Sequence, residues 1–126
     1  MNKLEIYIRG LGWIFSGGLD DLAMERGGKL IDWYQAEDVA AEICQMKVKP
    51  RVYIAGHSLG GGAAFQMANE LAKCNVRVIA IVAMDPVGRV PVSADIRVAT
   101  FWNPVLHSVM THDPNIKNTI REMFRR

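Results

Sequence analysis

Ser58 stands in the run Gly56-His57-Ser58-Leu59-Gly60, where an apolar segment gives way to a helix-forming one. Upstream, Val52-Tyr53-Ile54-Ala55 is short, apolar and β-prone, as a buried strand should be. Downstream, Gly61-Gly62-Ala63-Ala64-Phe65-Gln66-Met67-Ala68 passes from small residues into good helix formers. A serine on a sharp strand-to-helix turn is pushed into the open above a sheet, and the cramped turn accounts for the glycines on either side. The alternative is an ordinary glycine-rich turn without chemistry.

A serine hydroxyl is a weak nucleophile until a neighbouring base takes its proton. Histidine suits that task near neutral pH, and a carboxylate usually orients its ring and balances the imidazolium. In an open parallel sheet these groups should project from the carboxyl ends of strands. Asp85 meets that condition best, because it follows the strongest apolar run, Val76 to Met84, although Asp85-Pro86 could equally be a plain turn. Asp95 precedes a strand, Asp113 fits a helix cap, and Asp32 falls before the serine in chain order. Among the three histidines, His57 inside the motif is read as a packing residue. His107 and His112 both lie after the last strand, where a base is wanted. An oxyanion would need two donors. The Leu59 N–H at the helix start is one, and the Leu11 N–H in Gly10-Leu11-Gly12 is the expected second.

The elements that must hold these residues alternate strand and helix along the chain. Leu4–Arg9 reads as a strand and Gly18–Ala23 opens a helix. Lys29–Trp33 reads as a brief strand and Ala36–Lys47 as a helix with Val39, Ala40, Ile43 and Met46 on one face. Ile96–Trp102 reads as a fifth strand. Asp113 and Pro114 start a last helix whose face carries Ile116, Ile120 and Phe124. This pattern predicts an α/β three-layer sandwich, with about five mostly parallel strands and helices on both faces.

The 126 residues fit a single domain, 1–126, with no repeat or linker. Half are hydrophobic and 22% charged, which excludes a disordered chain, and a net charge of +2 gives no reason to expect nucleic acid or an anionic membrane as partner. Cys44 and Cys74 lack metal-ligand spacing and read as reduced packing cysteines. With no signal peptide and no membrane-spanning run, a cytoplasmic location is expected. Neither a metal nor a cofactor is called for.

At this point the chain resembles the α/β-hydrolase superfamily. It is similar in particular to small bacterial and phage-associated serine hydrolases described as lipase-like or thioesterase-like. The resemblance covers most of the chain. Ile6 to Gly12 with Phe15 to Ala23 resembles the oxyanion loop and first helix, Gly56 to Gly62 the nucleophile elbow, and Val82 to Pro86 the strand bearing the acid. The resemblance also chooses between the histidines, because His107, Met110 and Ile116 fit the register of the relatives and His112 does not. It implies a Ser58–Asp85–His107 triad with an oxyanion hole at Leu59 and Leu11. The reaction would be cleavage of small or exposed acyl esters, or thioesters, through an acyl-enzyme. Typical members carry a longer sheet and often a lid, so a shallow, open site is expected here. The Trp102–His107 loop is also shorter than in those relatives. The absent outer strands expose the first or second strand, so a homo-oligomer through a sheet edge is a further expectation. The competing function is an inactive binding or assembly module that keeps the fold.

Overall fold

The computed structural model describes residues 2–11 and 16–125, the side chains of residues 104–106 excepted. Five strands form one parallel sheet: β1 (Lys3–Arg9), β2 (Lys29–Asp32), β3 (Arg51–His57), β4 (Val78–Met84) and β5 (Arg97–Phe101). Their spatial order is β2-β1-β3-β4-β5. Every pairing is parallel. Three helices connect strands, α1 (Gly17–Arg26), α2 (Ala36–Cys44) and α3 (Leu59–Lys73), and α4 (Pro114–Met123) follows β5. Two 3-10 segments, Trp33–Gln35 and Pro104–His112, were not anticipated from the sequence.

Alternation along the buried strands sorts side chains into two cores. Ile6, Ile8, Val52, Ile54, Ile81 and Ala83 face α2 and α3. Tyr7, Tyr53, Ala55, Val82 and Met84 face α1 and α4, where Leu19, Leu22, Ile120 and Phe124 close over them. The expected three-layer α/β sandwich is therefore present. The predicted cap of the last helix also forms, with Asp113 accepting from the N–H groups of Asn115 and Ile116. Helix α2 stops at Cys44, short of the expected Lys47. The first strand lies inside the sheet, so the edges are β2 and β5.

The cysteine reading is corrected. Cys44 and Cys74 form a disulfide, with Cα atoms 5.6 Å apart. Cys44 is the last residue of α2 and Cys74 the C-cap of α3, and these two helices lie side by side on one face of the sheet. Spacing along the chain gives no hint of that proximity. The pairing also removes the cysteine-based argument for a reducing compartment. Among the described residues, no helix is long and apolar enough to cross a membrane.

The strand order decides where a site belongs. From β1 the chain moves outward to β2, then crosses back over β1 to enter β3 and continues to the other edge. The loops after β1 and β3 thus leave the sheet side by side in opposite directions, and open a crevice beyond the strand ends. Gly10 and Ser58 follow those two strands.

Candidate active site

Ser58 sits at the junction of β3 and α3 with φ 59° and ψ −123°, a conformation that non-glycine residues rarely adopt. The surrounding hydrogen bonds enforce it. Its N–H donates to the Met84 carbonyl at 2.9 Å, and its carbonyl accepts from Val87 and Gly61, each at 2.9 Å. The turn closes so tightly that a Cβ on Gly56 would lie 2.2 Å from the Gly60 oxygen. Leu59 is the first residue of α3, and helices leave their first N–H groups without partners inside the helix.

The loop after β1 packs directly on this turn. A Cβ on Gly10 would lie 2.6 Å from the His57 oxygen, 2.8 Å from Ser58 Cβ and 3.2 Å from the Leu59 nitrogen. Only glycine lets the two loops meet. Leu11, the next residue, is 74% exposed. Gly12 and Phe15, which belong to the block resembling an oxyanion loop, lie outside the described residues.

Asp85 follows β4 and adopts φ 42°, a region that Asp tolerates better than most residues. It is buried, and both carboxylate oxygens are engaged. Oδ1 accepts from the Asn103 N–H at 2.7 Å, and Oδ2 lies 3.0 Å from His107 Nδ1. The short loop after β5 therefore does bring His107 to Asp85. Its 3-10 segment is held down by buried Met110 and Thr111, and the Thr111 hydroxyl accepts from the Gly18 N–H at the start of α1. A proton on His107 Nδ1 leaves Nε2 as the free basic nitrogen. Among the described residues, no hydrogen bond joins Ser58 Oγ to His107.

The other candidates are committed elsewhere. Asp32 takes a two-pronged contact from Arg9 at 2.9 and 3.2 Å. Asp95 is exposed, Asp113 caps α4, and exposed His112 lies beside Gly17. His57 was expected to pack, and it is buried, but it also bonds. Nδ1 lies 2.9 Å from Ser16 Oγ, Nε2 lies 2.8 Å from the His107 carbonyl oxygen, and its ring stands 4.5 Å from the His107 ring. No local sequence signal joins His57 to Ser16.

A groove of about 760 Å³ opens beside Leu59, between the Trp33–Gln35 turn, α3 and the loop after β4. Trp33, Tyr34, Ala63, Met67 and Val87 are among the residues lining it. Among the described residues, no group of three His, Cys, Asp or Glu side chains is placed to hold a metal ion.

Comparison with known proteins decides the family. Residues 8–125 match the model of the alpha/beta hydrolase family. The chain belongs to the alpha/beta hydrolase family. Its fold also matches the crystal structure of a protein from Xanthomonas campestris pv. campestris assigned to the alpha/beta hydrolase superfamily. The TM-score is 0.62 at 14% identity, and the match covers 98% of this chain and 99% of that one. At that identity the likeness is one of fold. No curated protein matches the chain.

Proposed function

We propose that this alpha/beta hydrolase is a serine esterase that cleaves small or exposed acyl esters, or thioesters, through an acyl-enzyme on Ser58. The observation that carries this reading is the Asp85–His107 hydrogen bond at the strand ends next to the strained serine. Asp85 orients the imidazole with Nδ1–H toward itself, so Nε2 takes the Ser58 proton as Oγ attacks the acyl carbon. The N–H groups of Leu59 and Leu11 hold the oxyanion. His107 then passes its proton to the departing alcohol or thiol. Water attacks the acyl-enzyme by the same route and frees Ser58. The open groove at Leu59 offers apolar room for the acyl group.

A fluorophosphonate probe tests the nucleophile. The wild type is expected to be labelled and Ser58→Ala is not. A panel of short and long nitrophenyl esters should give turnover that Ser58→Ala abolishes. Folded wild-type protein that takes no label would overturn the reading.

One observation favours a second reading, that of an inactive binding module: Ser58 and His107 are not hydrogen-bonded among the described residues. Such bonds are often long in unliganded enzymes and tighten when substrate arrives. Ester binding to wild-type protein without turnover or labelling would favour the binding module.

A further inference from the structure

His57 closes β3 immediately before the serine and is 1% exposed. Burial penalises the charged form of an imidazole and so favours the neutral ring. Each ring nitrogen has a partner, and the partners define the tautomer. The His107 carbonyl can only accept, so His57 Nε2 carries the proton and donates to it at 2.8 Å. Nδ1 is then bare and accepts the Ser16 hydroxyl proton at 2.9 Å. Ser16 Oγ in turn accepts from the Gly10 N–H at 3.4 Å.

A single directed chain results, from Gly10 through Ser16 and His57 to His107. It begins in the loop that packs on Ser58 and ends on the backbone of the base. Ser16 occupies the N-cap position of α1, where a serine side chain ordinarily caps the helix. Its hydroxyl makes no cap bond and is turned inward to His57 instead. Burial, the largest influence, holds the His57 pKa below its ordinary value; the His107 carbonyl and Asp85 pull it up, and the His107 ring pushes it down. The two stacked rings therefore need different states, because His107 must become positive during turnover and a second positive ring 4.5 Å away would oppose it.

We propose that His57 is a positioning residue of the active site: as the neutral Nε2–H tautomer, it ties the loop after β1 to the loop of the base and so sets where His107 stands relative to Ser58. This rests on reading Ser58 and His107 as nucleophile and base.

Three substitutions separate the contacts. His57→Gln keeps a donor near the Nε2 position, His57→Asn keeps an acceptor near the Nδ1 position, and His57→Phe keeps the ring alone. For the best nitrophenyl ester, kcat is expected to fall about 10²-fold in the Phe and Asn variants with KM little changed, the scale of a 1 Å misplacement. His57→Gln should recover most of that loss. Equal kcat in wild type and His57→Phe, or no recovery in His57→Gln, would overturn the proposal. Nitrogen-15 NMR of the wild-type histidines supplies a readout independent of turnover and of variant folding. The expected result is a His57 ring that is Nε2-protonated, titrates below the ordinary histidine value and is slow to exchange; an Nδ1–H tautomer or a freely exchanging proton overturns it. If the wild type neither turns over esters nor takes the Ser58 label, the hydrolase reading fails, and the NMR result still decides whether His57 ties the two loops.

Discussion

Asp85 holds His107 through one carboxylate oxygen, at 3.0 Å from Nδ1, while the other oxygen is fixed by the Asn103 N–H at 2.7 Å. With both oxygens engaged, the carboxylate cannot rotate away and the imidazole keeps one tautomer. Asp85→Asn replaces the acceptor facing Nδ1 or turns a donor toward it, which favours the wrong tautomer. Turnover of a nitrophenyl ester is expected to fall about 10⁴-fold with the fold intact. His107→Ala should be at least as damaging, and His112→Ala nearly silent. Loss confined to the His112 variant would move the base.

Gly10 touches the Ser58 turn more closely than any side chain could. In Gly10→Ala the new Cβ would meet the His57 oxygen at 2.6 Å and Ser58 Cβ at 2.8 Å, so the two loops must separate. A stability loss of about 1–3 kcal/mol in urea unfolding is expected, as for overpacking elsewhere. Fluorophosphonate labelling should slow well beyond the unfolded fraction, because the displaced loop carries the Leu11 N–H proposed as an oxyanion donor. Labelling at the wild-type rate would mean that this loop takes no part in the oxyanion hole.

Ser58 keeps a positive φ that glycine would adopt freely. Such strain costs of order 1–3 kcal/mol. Ser58→Gly is therefore expected to raise the thermal midpoint while abolishing turnover, and Ser58→Ala to abolish turnover without the gain, since alanine keeps the Cβ. A drop in midpoint for Ser58→Gly would show that the serine side chain contributes more through its contacts than the turn loses in strain. For Ser58→Ala, the turnover loss should approach 10⁶, as for nucleophile removal in other serine hydrolases.

Legibility followed the range of the interactions. The placement of Ser58 and Asp85 was readable because each follows an apolar strand, and strand ends on a parallel sheet converge whatever the details of packing. His107 could be separated from His112 only by resemblance, since both lie in one segment and the choice depends on how the Pro104–His112 turn winds. The His57 contacts were hidden, because Ser16 is far away in sequence and reaches it only once α1 is docked. The cysteines were misread for the same reason: their pairing depends on α2 and α3 lying side by side.

The Cys44–Cys74 bridge ties the end of α2 to the end of α3, the helix that Ser58 precedes at its other end. Its closed loop, with a sequence separation of 30, should restrict the unfolded chain by about 3–4 kcal/mol in the loop-entropy account. The double variant Cys44→Ala/Cys74→Ala is expected to lose stability on that scale or somewhat less, measured by urea unfolding. Labelling of Ser58 in the folded fraction should persist, because the bridge lies at the far end of α3. Thiol titration of the unfolded, unreduced wild type should find no free cysteine.

Glu5 is buried on β1 and gathers Arg26 at 2.7 and 3.1 Å, the Tyr7 hydroxyl at 2.5 Å and Lys3 at 3.4 Å. Burial alone would raise its pKa, but the hydrogen bonds from Arg26 and Tyr7, with the charges of Arg26 and Lys3, outweigh burial and hold it below the ordinary 4.5. The same burial, with the carboxylate beside it, pushes the Tyr7 hydroxyl far upward. A carboxylate whose pKa is depressed by folding stabilises the native state above its unfolded pKa, and loses that contribution as pH falls through the lower folded value. At pH 7, Glu5→Gln should cost about 3 kcal/mol, because Arg26 is left without its charge partner. The gap between wild type and variant should narrow as pH falls below 4.5, since the wild-type carboxyl is then becoming neutral as well. Urea midpoints for both proteins between pH 7 and pH 3 measure this directly. Curves that stay parallel across that range would place the acid sensitivity in other carboxylates.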